Sequence, residues 1–253
     1  WDFRVPGVTS ISADVHKYGY CPKGASVLLY RSMDLMRYQF FVSTDWPGGI
    51  YASPGLAGSR PGGPIAAAWA SLMHLGEPGF LALAERSWTA AERLRDGIRA
   101  IPELRVMGAP HSTIVTWASD EIDVYAVADR LEAAGWTVDR QQRPATIHCT
   151  VAPHHAPVID RYLVDLREAV AAVRANPELG RSGEAPMYGM MARLPARRVV
   201  KRGVRDVMEK MYGPGGGLPD LGGEGEGPLM AAVHKHGPRV LDLLERIPGV
   251  GAP

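Results

Sequence analysis

Lys17 is the side chain best placed for chemistry, because it lies at the centre of a polar stretch between two apolar runs. An amine that is partly desolvated and close to other cations loses its proton more readily and forms a Schiff base with a carbonyl compound. His16 and Lys23 are the cationic residues near it in sequence. The pattern therefore makes Lys17 a candidate for carbonyl chemistry, although a solvated lysine beside a glycine turn gives the same local sequence.

Short strands on either side of the lysine would hold it in position. Residues 8–30 read VTSISADVHKYGYCPKGASVLLY. In this stretch the β-branched run at 8–13 and the aliphatic run at 27–30 are typical of strands. Pro22 and Gly24 indicate a turn between them. The sequence predicts a strand, a loop and a strand, with the lysine at the tip of a rigid element.

A second candidate site is the glycine-rich segment 45–63, which reads DWPGGIYASPGLAGSRPGG. We expect an open loop here, and Pro64 then suits the first position of a helix. Backbone N–H groups at such a helix start bind phosphate or carboxylate groups. Ser59 and Arg60 lie in this loop. The alternative is an ordinary surface loop.

Helical periodicity follows the glycine-rich segment. The spacing of apolar residues predicts a buried helix at 64–76, with Trp69 and Met73 in the core, and then a long amphipathic helix at 80–101. His74 lies on the first helix, where we interpret it as a packed side chain rather than a ligand.

The second half of the chain changes to shorter units. Apolar runs near residue 106, at 113–118 and at 146–151 predict strands, and residues 123–134 and 157–175 predict helices. Strands that alternate with helices are typical of a small α/β domain.

These predicted helices and strands divide the chain into three regions. Residues 1–103 contain the reactive lysine and end in the long helix, and residues 104–212 form the small α/β domain, which closes with a helix at 200–211. Residues 213–253 begin with a run that is half glycine, so we expect a flexible tail with one possible short helix.

The amino-acid composition argues against several classes of function. The chain has 253 residues, 46% of them hydrophobic and 22% charged, which is typical of a globular protein. Its net charge of +1 gives no reason to expect a nucleic acid or an anionic membrane surface as a partner. No apolar run is long enough to span a bilayer. Because the chain begins with Trp and enters a strand almost at once, we expect a fragment of a longer protein.

Cysteine and histidine usage indicates the compartment and argues against a metal site. Cys21 and Cys149 lack metal-ligand spacing and suit a reducing, cytoplasmic setting. The pair His154 and His155 has no acidic or sulfur-bearing residue at a matching offset, so we expect no metal there.

Three sequence blocks resemble the sphingosine-1-phosphate lyase family, within the pyridoxal-phosphate group II decarboxylase-like enzymes. The blocks are SADVHKYGYCPKG, TDWPGGIYASPGLAGSRPGG and MYGM at 187–190. The resemblance covers residues 1–212, with the elements in the same order. It implies a fold-type I, aspartate-aminotransferase-like α/β fold, in which residues 1–103 are the C-terminal part of the cofactor-binding large domain and residues 104–212 are the small domain.

The resemblance also implies a cofactor, a partner and residue roles. Lys17 matches the lysine that forms a Schiff base with pyridoxal 5′-phosphate. His16 matches a residue that touches the cofactor phosphate, and Ser59, with Gly58 as its backbone companion, matches one that reaches that phosphate from the neighbouring subunit of a homodimer. Lys23 matches a lysine that faces the substrate phosphate. The implied reaction cleaves a phosphorylated sphingoid base to a long-chain aldehyde and phosphoethanolamine by a retro-aldol step.

Departures from the family leave alternatives open. The family's aspartate for the pyridinium nitrogen and its stacking group lie upstream of the Schiff-base lysine and outside this chain, so we expect the isolated chain to be inactive. The resemblance does not cover the tail at 213–253. The alternatives are an amino-acid decarboxylase that uses the same Lys17 and cofactor, and a truncated remnant without activity.

Overall fold

The computed structural model describes residues 2–186 and 188–189, together with positions 201–202, 205, 208–209, 211–214 and 217. The chain divides into two compact units, residues 1–82 and residues 83–253. The domain boundaries expected at residues 103 and 212 stay predictions. The helix expected at 200–211, both methionines of the MYGM block and nearly all of the tail lie wholly or largely outside the described residues.

The first unit contains two β-hairpins. Strand β1 (Ser10–Ala13) pairs antiparallel with β2 (Val27–Tyr30), which confirms the strands predicted on either side of the lysine. A short helix, α1 (Met33–Met36), leads through a 3-10 turn into the second hairpin, formed by β3 (Phe41–Trp46) and β4 (Gly49–Ser53).

The second hairpin corrects the prediction of an open loop at 45–63. Trp46 pairs with Gly49, so Pro47 and Gly48 form a two-residue turn of the kind that closes β-hairpins. Proline and glycine mark turns as well as loops, and here they mark a turn. The irregular part of the segment is limited to residues 54–61.

Helix α2 (Gly62–Arg99) is the longest element of the chain. Gly76 interrupts it with φ of 57° and ψ of −178°, so the predicted pair of helices is confirmed. The predicted burial of the first helix is wrong, because Trp69 and Met73 are each 65% exposed. His74 is exposed as well and is not packed in a core.

The second unit contains a four-stranded antiparallel sheet. Its strand order is β5 (Arg105–Val106), β6 (Ile114–Ala118), β8 (Ala145–Thr150) and β7 (Asp139–Gln142). Helices α3 (Val124–Ala133) and α4 (Ile159–Ala175) complete the unit and confirm the two predicted helices. The polar strand β7, with the sequence DRQQ, has no apolar alternation and was not predicted.

The core of the second unit is shared by the sheet and the helices. Val115 and Trp117 of β6 are buried two residues apart, and the buried side chains of α4 recur every three or four residues, as each geometry requires. In β8 the adjacent residues Thr146 and Ile147 are both buried. The largest fully buried residues are Trp117 and Val115 of β6, Ile147 of β8, Leu131 and Val127 of α3, Leu166 of α4 and Ile98 of α2.

Candidate active site

Lys17 lies in the turn that follows β1, and its side chain is 65% exposed. Its Nζ forms an ion pair with Asp14 Oδ2 at 2.6 Å. The backbone closes the same turn, since the Lys17 N–H donates to the Asp14 carbonyl oxygen at 3.0 Å. The amine is therefore accessible from outside and tethered by one carboxylate.

Asp14 is itself held by Ser26, whose hydroxyl donates to Asp14 Oδ1 at 2.8 Å. The pairing of Ala13 with Val27 places Asp14 and Ser26 together at the end of the β1–β2 ladder. The hydrogen bond from Lys17, followed by the one from Ser26, holds the pKa of Asp14 below its ordinary value. Asp14 is thus ionised at neutral pH. Sequence reasoning assigned it no role, although a carboxylate three residues before a lysine in a turn was an available signal.

The backbone after Lys17 is tightly folded. Tyr20 has φ of 54°, an uncommon value for a residue other than glycine, and its N–H donates to the Lys17 carbonyl oxygen at 3.1 Å. A Cβ at Gly19 would lie 2.2 Å from the Val15 carbonyl oxygen, so only glycine fits there. Backbone strain of this kind is concentrated at functional sites.

The turn that contains Lys17, residues 14–20, is here called the lysine turn, and it is hydrogen-bonded to the first part of α2. The Ser71 hydroxyl donates to the carbonyl oxygens of Gly19 and Tyr20, each at 3.2 Å. Val15, at the start of the turn, is buried in a small apolar cluster with Ala68 of α2. These contacts give the lysine a fixed backbone position.

His16 and Lys23 flank the lysine. The Nδ1 atom of His16 lies 3.5 Å from the Ala25 carbonyl oxygen, at the limit of a hydrogen bond. Lys23 is exposed. The next residue, Gly24, has φ of 119°, and a Cβ there would lie 2.9 Å from the ring of Pro64. The Lys23 loop therefore lies against the start of α2.

Gly58 and Ser59 are exposed and lie in the irregular segment before α2. Their neighbour Arg60 donates from Nη1 to the Gly58 carbonyl oxygen at 3.0 Å. Among the described residues, no hydrogen bond joins these two residues to the lysine turn. His16 therefore lies in the same turn as Lys17, whereas the described residues show no hydrogen bond from Gly58 or Ser59 to that turn.

The described residues contain neither a metal-binding cluster nor a membrane-spanning helix. No cluster of three or more histidine, cysteine, aspartate or glutamate side chains suited to a metal ion occurs in the described part of the chain. His154 and His155 instead face each other with ring centroids 4.0 Å apart. Of the helices that the structure describes, none is long and apolar enough to cross a membrane.

Comparison with known proteins relates this geometry to one group of enzymes. No protein-family model matches the chain. A sphingosine-1-phosphate lyase of Arabidopsis thaliana is 46% identical over 212 residues, which is 84% of this chain and 39% of the relative. The solved sphingosine-1-phosphate lyase of Burkholderia pseudomallei matches with a TM-score of 0.68 at 42% identity, over 82% of this chain and 43% of that chain. Over these residues the chain belongs to the sphingosine-1-phosphate lyase family.

The family assignment confirms the predicted resemblance and fold class. A glutamate decarboxylase of Lactobacillus brevis matches with a TM-score of 0.57 at only 20% identity, over 72% of this chain and 43% of that chain, so it supports the fold alone. The fold is the fold-type I architecture of pyridoxal-phosphate enzymes. The chain spans about two fifths of the length of the curated lyases, 39% in the Arabidopsis case.

Proposed function

We propose that this chain is part of a pyridoxal 5′-phosphate-dependent carbon–carbon lyase. The substrate is a phosphorylated sphingoid base, and the products are a long-chain aldehyde and phosphoethanolamine. The observation that carries the proposal is the accessible Lys17 amine on a strained, well-anchored turn, in a chain of the sphingosine-1-phosphate lyase family. When bound, the cofactor supplies the electron sink that carbon–carbon cleavage requires.

The residues of the lysine turn fit this cofactor. Lys17 supplies an accessible primary amine for covalent attachment of an aldehyde. The Nζ atom lies 2.6 Å from Asp14 Oδ2, so Lys17 must leave this carboxylate before its amine reacts with an aldehyde. His16, next to it, would contact the cofactor phosphate, and the start of α2 adds backbone N–H groups that favour anions.

Ser59 and Gly58 would contact the same phosphate from a second subunit. Both residues are exposed, and within the described part of the chain neither is hydrogen-bonded to the lysine turn, which supports a contact made across a subunit interface. Exposed apolar side chains on the β3–β4 hairpin, including Trp46 and Ile50, support the same homodimer. We place this dimer in the cytoplasm, and the free thiols of the chain suit its reducing conditions. Light scattering after gel filtration measures the oligomeric state.

Lys23 would bind the phosphate of the substrate. Its side chain is exposed, and its loop is held against Pro64 close to the lysine turn. A charge-assisted contact to phosphate contributes roughly 1.5–3 kcal/mol. We therefore expect Lys23 to favour phosphorylated over unphosphorylated amines.

The first test is attachment of the cofactor to the chain as it stands. Pyridoxal 5′-phosphate is added, the adduct is reduced with borohydride, and the labelled peptide is identified by mass spectrometry. We expect the label on Lys17 and its loss in Lys17→Ala. Lys23→Ala is the matched control and should keep the label on Lys17. Labelling spread evenly over all lysines would contradict the assignment.

The second test separates the lyase from its alternatives. It uses the complete protein that contains this chain and measures aldehyde release from a phosphorylated sphingoid base. Release of carbon dioxide from amino acids without any aldehyde would identify a decarboxylase instead, and no turnover at all would favour the remnant. Lys23→Ala should raise KM for the phosphorylated substrate roughly 10- to 150-fold and leave an unphosphorylated analogue almost unaffected.

A further inference from the structure

The second unit contains a cavity of about 240 Å³ beside strand β8. Strand β7 begins at Asp139, opposite His148. The next two residues of β8, Cys149 and Thr150, pair with β6 but, in the described part of the chain, not with β7. Both line the cavity, together with residues 136–138, which precede β7. At about 30 Å³ per water molecule, the cavity has room for about eight waters and hence for a small organic molecule.

Most of the cavity wall is apolar. The aliphatic side chains of Leu94, Ile147 and Ile159 line it. The aromatic rings of Trp136 and Tyr162 also line it and meet edge to face, with their centroids 5.1 Å apart. Such a wall favours a ligand that places an alkyl chain inside the cavity, because the chain is then removed from water.

One carboxylate at this cavity has no hydrogen-bond donor among the described residues. It belongs to Asp139, whose side chain lines the cavity and is 74% exposed, so it lies at the mouth rather than in the interior. The nearest side chain that could carry a positive charge is His148, whose Nδ1 lies 3.9 Å from Asp139 Oδ2 and so beyond hydrogen-bond distance. The carboxylate can therefore accept hydrogen bonds from a ligand while it remains partly hydrated.

The charges of the cavity lining favour a cation. Among the described residues that line the cavity, Asp139 is the only acidic one, and none is a lysine or an arginine. His155 lines it as well, and burial lowers its pKa, so its ring is uncharged at neutral pH. Burial is the main cause that raises the pKa of the Cys149 thiol to about 11, and the charge of Asp139 adds to the rise. An anion would be repelled here, whereas a cation finds a partner.

We propose that this cavity binds a small primary alkylammonium ion. Its ammonium group lies at the mouth and donates to the Asp139 carboxylate, and its alkyl chain packs against Leu94, Ile147 and Ile159. The proposal does not depend on the function proposed for Lys17, because every residue that it uses lies in the second unit.

The test titrates the complete chain at pH 7.5 with three six-carbon probes, hexylammonium, hexan-1-ol and hexanoate. Calorimetry should show saturable binding of hexylammonium at one site. The alcohol carries no charge and should bind about 3- to 10-fold more weakly, because charge-assisted hydrogen bonds are roughly twice as strong as neutral ones. Hexanoate reverses the charge and should bind most weakly of the three.

A matched pair of carboxylate changes locates the charge that the probe recognises. Asp139→Asn should weaken hexylammonium binding about 3- to 10-fold, to the level of the alcohol, and should leave binding of the alcohol unchanged. Asp160→Asn removes the same charge from a side chain that is 78% exposed, lies outside the cavity lining and pairs with Arg93. This variant should bind all three probes as the unaltered chain does.

A filled cavity provides the second arm of the test. Val158→Phe places an aromatic ring in the lining and should abolish binding of hexylammonium and hexan-1-ol. Val164→Phe makes the same change on a side chain of α4 that is 48% exposed and outside the cavity lining, and it should bind as the unaltered chain does.

Three results would overturn the proposal. They are absence of saturable hexylammonium binding by the folded chain, binding that survives Val158→Phe, and equal effects of Asp139→Asn and Asp160→Asn on hexylammonium. Circular dichroism melting checks that each variant folds. If Val158→Phe does not fold, the comparison of the two carboxylate variants decides the question alone, because both changes are made on exposed side chains.

Discussion

The two units of this chain differ in how they cover their apolar side chains. In the second unit the ring of Trp117 and the side chain of Ile98 are completely buried among helices and strands. In the first unit Trp69 is 65% exposed and Ile50 is 78% exposed, and the buried cluster is limited to three small or medium residues around Val15. Among the described residues, the second unit therefore has a large hydrophobic core, whereas the first has only a small buried cluster.

This difference bears on the candidate active site, because Lys17 lies in the unit with the smaller core. A two-stranded hairpin such as β3–β4 is marginally stable by itself. Contiguous exposed apolar side chains are typical of surfaces that pack against another part of a protein or against a second subunit. We infer that local hydrogen bonds hold the lysine turn in shape, while the stability of the first unit depends on further contacts.

The largest expected effect comes from the core of the second unit. Trp117→Ala should lower the free energy of unfolding by about 3–5 kcal/mol, because it removes a fully buried ring and leaves a cavity. Trp69→Ala is the counterpart in the first unit and should change stability by less than about 0.5 kcal/mol. Urea unfolding followed by circular dichroism measures both. Equal losses would mean that the two units do not differ as described.

A buried ion network gives the next largest effect. Arg140 has a side chain that is 2% exposed, and it donates to Glu132 and Asp129 at 2.6 Å. Arg140→Met should cost about 3 kcal/mol, because it leaves partly buried carboxylates without their cation. Lys17→Met removes an exposed partner of Asp14 and should cost far less. Urea unfolding measures both variants. If Arg140→Met left the free energy of unfolding unchanged, the ion network would add no net stability.

A matched pair of glycine changes on α2 compares packing in the two units. A Cβ at Gly97 would lie 2.3 Å from the side chain of Leu163 in α4, so Gly97→Ala should destabilise the second unit by about 1–3 kcal/mol. Nothing lies within 4 Å of a Cβ at Gly63, so Gly63→Ala should be neutral or gain up to about 1 kcal/mol from helix propensity. Thermal melting distinguishes the two, and a stabilising Gly97→Ala would contradict the close packing of α2 on α4.

The smallest effect is a pH dependence in the second unit. Burial lowers the pKa of His155 in the folded chain, so the unfolded chain binds a proton at this residue more readily. Stability should therefore be full above the unfolded pKa of about 6.5 and should fall as the pH drops below it. The decrease in Tm between pH 7.5 and 5.5 should be smaller in His155→Gln than in the unaltered chain. An identical decrease would exclude His155 as its source.

The sequence predicted helices and strands correctly where the pattern that specifies them lies within a few neighbouring residues. The helix predicted at 123–134 is α3, and the carboxylate of its first residue in that range, Asp123, accepts from the Tyr125 N–H at 2.8 Å as a cap. The helix predicted at 157–175 is α4, and Leu166 and Val170 are buried on its inner face. The strand that was not predicted, β7, has a polar sequence without a strand pattern. It is defined only by its pairing with β8, which is a contact that the local sequence does not specify. The roles assigned to Lys17, His16, Lys23, Gly58 and Ser59 stay predictions.

The sequence by itself determined the family, the order of the elements and the polar turn around Lys17, because turn chemistry and hydrophobic periodicity act over a few residues. Only the tertiary structure decided that Ser26 holds Asp14 against Lys17 and that Ser71 fastens the turn to α2. It also decided that the apolar face of the first helix is exposed. These outcomes depend on which distant residues meet, and a periodic pattern specifies an apolar face but not what covers it.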